Sequence, residues 1–134
     1  MNLDWKFRYI ACALDTEGHI ACCKISHPGR KTNNFCIEIG FTNNNLEWLK
    51  FLEQLIQLKA HLRKRKNSNA WCLEYWKQPD VLTLLKSIQP FMIIKKEKID
   101  YAIKFLESRI NCSGSRNKLP YNGKEIKLIN LMRT

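Results

Sequence analysis

Twice along this chain a helix-periodic stretch is followed by two short β-prone runs, and this alternation restricts the fold more than any other feature. Asp4 to Leu14 has helical spacing, with Trp5, Tyr9, Cys12 and Ala13 toward one face and Asp4 suited to cap the N-terminus. The spacing predicts a helix stopping at Asp15-Thr16-Glu17-Gly18, where glycine offers the left-handed conformation that many helix ends use. His19 to Ile25 and Asn34 to Phe41 then read as a hairpin around His27-Pro28-Gly29-Arg30, with Phe35, Ile37 and Ile39 opposite Cys36 and Glu38. The pattern recurs with a helix from Leu46 to about Leu58, striped by Leu49, Leu52, Leu55 and Ile56. A second hairpin follows, Leu62 to Lys66 and Trp71 to Trp76, turning at Asn67-Ser68-Asn69.

Helical spacing returns from Pro79 to Pro90 and from Ile99 to Ile110, and Lys124 to Met132 reads as a short last helix. The order α-β-β-α-β-β-α-α predicts an α+β fold, an antiparallel sheet with helices on one face. With 134 residues, the chain suits one domain, 1–134, having a core repeat over about 4–110 and an extension over about 111–134.

Composition enters through charge. Lys and Arg number 23 against 12 Asp and Glu, a net charge of +11. Such an excess concentrates polyanions, of which nucleic acid is the commonest. No segment reaches the roughly 18 uninterrupted apolar residues of a membrane span, and the N-terminus lacks a signal-like apolar run. The chain therefore reads as soluble and intracellular, neither membrane-bound nor secreted. Six cysteines are present, but no CxxC pair, and the three histidines are not at ligand spacing, so zinc is not expected.

The chemistry is carried by Tyr9-Ile10-Ala11-Cys12-Ala13-Leu14-Asp15-Thr16-Glu17-Gly18. This segment resembles the LAGLIDADG motif: Ala11, Asp15 and Gly18 match outright, and Ile10, Leu14 and Glu17 are close substitutes. Cys12, Ala13 and Thr16 depart from it. The element order resembles the repeat of the LAGLIDADG homing endonucleases, and Gln89-Pro90-Phe91-Met92 with Ile94-Lys95-Lys96 is similar to a stretch that follows their fourth strand.

Three consecutive small side chains, Ala11, Cys12 and Ala13, let two helix backbones approach closely, and a second copy of the chain would supply the partner across a two-fold axis. Packing of these residues inside the monomer is the alternative. Two helix ends meeting there bring carboxylates together, and a divalent cation, Mg2+, relieves their repulsion with oxygen ligands. The resemblance implies Glu17, directly before the final glycine, as the metal-binding catalytic acid. Asp15 is a second metal candidate, or a structural residue near the helix end. The resemblance also implies Lys95, with Lys96 beside it, as the catalytic lysine, and Asn44 as a residue that positions water.

The two hairpins would lay a curved sheet along the major groove of double-stranded DNA. Arg63 and Arg65 alternate onto one sheet face, while Cys36, Glu38, Cys72 and Glu74 occupy the non-core phase of their strands and look toward bases. Arg30 and Lys31, in the first turn, suit phosphates. The phase of the first strand is left open. The resemblance implies a homodimeric, intron-encoded, Mg2+-dependent endonuclease that cuts both strands of a long near-palindromic site. The alternatives are a maturase acting on intron RNA and an inactive DNA-binding protein of the same fold.

Overall fold

The N-terminal helical segment continues three residues beyond its expected end. The computed structural model describes residues 4–25, 34–110 and 121–133, and in it α1 spans Asp4–Glu17. The last turn persists because Asp15 finds its hydrogen-bond partners outside the helix, and Thr16 Oγ1 donates back to the Cys12 carbonyl at 2.8 Å. Gly18 opens strand β1 (Gly18–Ile25) directly, with no left-handed turn. Its role is close approach: a Cβ there would stand 2.9 Å from Leu14 Cα and 3.0 Å from the Gly40 carbonyl.

Strand β1 pairs antiparallel with β2 (Asn34–Asn43), in register from Gly18↔Phe41 to Ile25↔Asn34. Helix α2 (Leu46–Ile56) follows, its N-cap Asn45 accepting from the Trp48 amide at 3.1 Å. It ends two residues earlier than expected because Gln57 takes the left-handed conformation, φ 59°. Strands β3 (His61–Lys64) and β4 (Trp71–Tyr75) form the second hairpin, and β4 pairs with β2, giving the order β1-β2-β4-β3, all antiparallel. Then come α3 (Gln78–Ile88), a 3₁₀ turn (Gln89–Phe91), α4 (Lys96–Ile110) and α5 (Gly123–Met132). This is the α+β order read from the sequence.

The core fills one side of the sheet. Ile20, Ile37, Ile39, Phe41, Leu73 and Tyr75 point into it, against Ile10, Leu14, Leu49, Leu52, Val81 and Leu85 from the helices. Period-2 burial along β2 leaves Cys36, Glu38 and Thr42 on the other face. The same alternation settles β1: Ile20 and Cys22 face inward, while His19, Ala21 and Cys23 face out.

Helix α5 braces the core. Leu128, Ile129 and Met132 are buried, and an Asn122–Glu125 capping box starts the helix. The Glu125 carboxylate, 1% exposed, also accepts from Ser108 Oγ at 2.7 Å and so ties α5 to α4. No helix among the described residues is long and apolar enough to cross a membrane. The first hairpin turn, with Arg30 and Lys31, and residues 111–120 of the extension lie outside the described residues.

Candidate active site and nucleic-acid interface

The end of α1 is where the motif residues meet the rest of the fold. Asp15 is buried, and its carboxylate accepts three backbone amides: Ile93 at 2.8 Å, Ile94 at 3.2 Å and Lys95 at 2.9 Å. It thus fixes the segment that leads into α4, as an acid at a helix N-terminus does. Lys95 returns the contact, its Nζ donating to the Asp15 carbonyl at 2.7 Å. The ammonium is held at the C-terminal end of α1, where the helix dipole favours a cation. Lys95 also lines an open hollow of about 790 Å³, with His19, Lys96 and Lys98 around it.

Glu17 is exposed, one residue before β1. Asn44 is exposed in the β2–α2 turn. Because Phe41 pairs with Gly18 and β2 ends at Asn43, Asn44 lies just past the strand at the end of the sheet where α1 meets β1.

Among the described residues no three His, Cys, Asp or Glu side chains cluster in a way that could hold a metal ion. One exposed carboxylate, that of Glu17, stands at this helix end. A carboxylate is an oxygen donor of the kind a hard divalent cation takes when its other ligands are water and phosphate oxygens. Of the two acids, Glu17 is the one whose oxygens are not already occupied by backbone amides in the way that Asp15's are.

The sheet face away from the helices carries Arg63, Cys36, Glu38, Cys72 and Glu74 together, and also His19, Cys23, Thr42, His61 and Trp76. Strand alternation in the sequence points to the first five. The others emerge from register: His19 and Glu74 both stand opposite Gly40, and His61 opposite Glu74. Arg63 Nε donates to Glu74 Oε1 at 2.6 Å, Cys23 Sγ to Glu38 Oε2 at 3.2 Å, and His19 Nε2 lies 3.7 Å from Glu38 Oε1. Thr42 Oγ1 and Cys72 Sγ are 3.4 Å apart, and the His61 and Trp76 rings stack at 5.5 Å. Arg65 falls just past β3, its amide closing the hairpin onto the Ala70 carbonyl at 2.9 Å, with the residue exposed.

Two adjacent carboxyl groups cannot both ionise freely. The His19 imidazole beside it holds the Glu38 carboxyl well below the usual range, whereas desolvation, and then the neighbouring Glu38 carboxyl, raise that of Glu74. Burial pushes the Cys23 thiol up to about 12 and raises that of Cys36.

Two of the three small residues of α1 turn inward, contrary to the expected dimer face. Ala11 is 0% and Ala13 5% exposed within the single chain, so neither is available to a second copy. The sheet and neighbouring helices cover a broad arc of α1, and two residues 200° apart can both fall inside it. Of the three, only Cys12 is exposed. It lies in a stripe with Trp5, Arg8, Tyr9 and Thr16, bordered by Phe51 on one side and by Ile93 and Ile94 on the other. Ile93 and Ile94 are 82% and 70% exposed, large values for branched apolar side chains.

No family model matches the chain, and no curated protein does. Solved structures match it closely in shape. The archaeal intron-encoded homing endonuclease I-Vdi141I, complexed with DNA, superposes with a TM-score of 0.79 at 18% identity, over 98% of this chain and 84% of that one. The homing endonuclease I-CvuI, in complex with the I-CreI target in the presence of magnesium, gives 0.77 at 13% identity, over 98% and 85%. The LAGLIDADG homing endonuclease I-LtrWI, bound to target DNA, gives 0.73 at 12% identity, over 96% of this chain but 43% of that one. The chain therefore has the fold of the LAGLIDADG homing endonucleases.

Proposed function

We propose that this protein is a site-specific DNA endonuclease that works as a homodimer with a divalent cation. The observation that carries the reading is the end of α1: Glu17 is exposed and Lys95 is anchored on the Asp15 carbonyl two residues before it, on a helix whose outer stripe includes exposed Trp5, Tyr9 and Cys12 beside exposed Ile93 and Ile94. Pairing two such stripes about a two-fold axis brings two Glu17 carboxylates and two Lys95 ammonium groups to the centre of one surface. I-LtrWI, of which this chain spans 43%, is consistent with two copies making a complete binding surface. The two open sheet faces then flank that centre and follow the major groove, aided by the net charge of +11.

A magnesium ion, if held there, would supply Lewis acidity toward a phosphate and lower the pKa of a bound water. The chain's own residues do the rest. Glu17 would hold the cation, Lys95 would set a positive charge beside the phosphate where negative charge grows, and Asn44 would orient the attacking water. Asp15 contributes indirectly, by fixing Lys95. Arg30 and Lys31, outside the described residues, would engage phosphates.

The test is incubation of the purified protein with magnesium and plasmids carrying native-locus inserts, with the ends mapped by sequencing. Discrete double-strand cuts, abolished by Glu17→Gln while binding persists, establish the endonuclease. Tight binding to DNA or intron RNA without cuts would favour the inactive binder or the maturase.

A further inference from the structure

The open sheet face contains one arginine that is held rather than free. Arg63 projects from edge strand β3 with its side chain 49% exposed, and its partner Glu74 is 7% exposed. Their hydrogen bond uses Nε, at 2.6 Å, which leaves the two terminal nitrogens with their N–H donors. Glu74 is itself backed by Glu38, which is held by His19 and Cys23. The row His19, Glu38, Glu74, Arg63 therefore crosses all four strands, β1, β2, β4 and β3. Gly40 makes the row possible, because a Cβ there would stand 2.2 Å from Cε1 of His19.

A guanidinium fixed by a buried carboxylate has lost its rotamer freedom before any ligand arrives. Its remaining fork matches two acceptors side by side, as on a phosphate or on guanine O6 and N7. The two carboxyl groups behind it decide between these. They repel the full charge of an incoming phosphate more strongly than the partial charges of a neutral base edge. We propose that Arg63, positioned by Glu74, reads a guanine on the major-groove edge in each half-site, an inference that rests on the DNA-binding reading above.

The test is selection of bound duplexes from a randomised library in EDTA, so that cutting plays no part. Wild type is expected to enrich a near-palindromic sequence with guanine at one symmetric pair of positions. Arg63→Ala and Arg63→Lys should each relax that position by about tenfold to a hundredfold, with the other positions unchanged. Glu74→Gln, which keeps an acceptor but removes the charge, should relax the same position by about fivefold to tenfold. Arg63→Lys changes an exposed side chain, so it keeps the test valid if Glu74→Gln does not fold.

Uniform weakening of all sequences by Arg63→Ala, with a shallower salt dependence, would identify a phosphate contact and overturn the proposal. A guanine preference untouched by folded Glu74→Gln would overturn the positioning role. Enrichment of no sequence by wild type would remove the DNA-binding reading itself, which the variants alone could not do.

Discussion

Asp15 and Lys95 grip each other in both directions: the Asp15 carboxylate accepts the Lys95 amide at 2.9 Å, and Lys95 Nζ donates to the Asp15 carbonyl at 2.7 Å. Residues 80 positions apart in sequence thus lock the end of α1 to the start of α4. Asp15→Asn removes the charge and leaves one carbonyl oxygen for three amides. It should lower stability by about 2 kcal/mol, read by denaturant unfolding. Unchanged stability would mean that the amides find other acceptors.

Gly18 sits where α1 turns into β1 with backbone on two sides. Gly18→Ala places a Cβ 2.9 Å from Leu14 Cα and 3.0 Å from the Gly40 carbonyl, neither of which can move alone. The expected cost is about 2–3 kcal/mol, again by unfolding, since overpacking against backbone forces the helix and strand apart. Gly40→Ala provides the contrast. Its Cβ meets only the His19 ring among the nearest atoms, so the ring can swing away and stability should fall less.

The outer stripe of α1 predicts an oligomeric state. Cys12→Arg adds a charge at the centre of the proposed interface, on a side chain that is exposed in the single chain. Sedimentation should show wild type at twice the 15.9 kDa chain mass and the variant at that mass, with helix content unchanged. A variant that remains dimeric would move the interface off α1.

Thiol reactivity should separate the cysteines by burial. Cys22 is pushed up to about 11 and Cys23 to about 12, in each case chiefly by desolvation. A raised value means less thiolate at a given pH, on the order of one in ten thousand for Cys23 at pH 8. Iodoacetamide at pH 8, followed by peptide mass mapping, should therefore label exposed Cys12 well before Cys22 or Cys23. Labelling of the latter two should accelerate only as the pH climbs toward their raised values. Equal rates at pH 8 would contradict their burial.

How far the sequence carried this account differs by element. Along β2 the alternation of Phe35, Ile37 and Ile39 with Cys36 and Glu38 reads directly as a core face and an open face, because side chains alternate along a strand. In β1, Ile20, Cys22 and Lys24 compete with Ala21, Cys23 and Ile25, two mixed sets with no clear difference in polarity. Only the sheet's contact with the helices decides between them. Ala11 and Ala13 show the same limit in a helix. Small side chains announce close approach, but not whether the approaching element belongs to the same chain.

The sequence by itself determined the order of elements and the open-face phase of three strands, which rest on local periodicity and spacing, and it marked the segment ending in Glu17 and Gly18 through its resemblance to the LAGLIDADG motif. Tertiary structure alone decided that Asp15 clamps the amides of residues 93–95, that Arg63 is held by Glu74, and that the outer surface of α1 runs through Cys12 rather than the alanines. Those facts depend on which distant backbone groups come within hydrogen-bond reach, and on how wide an arc of a helix its neighbours cover. Neither quantity is encoded in any local stretch of residues.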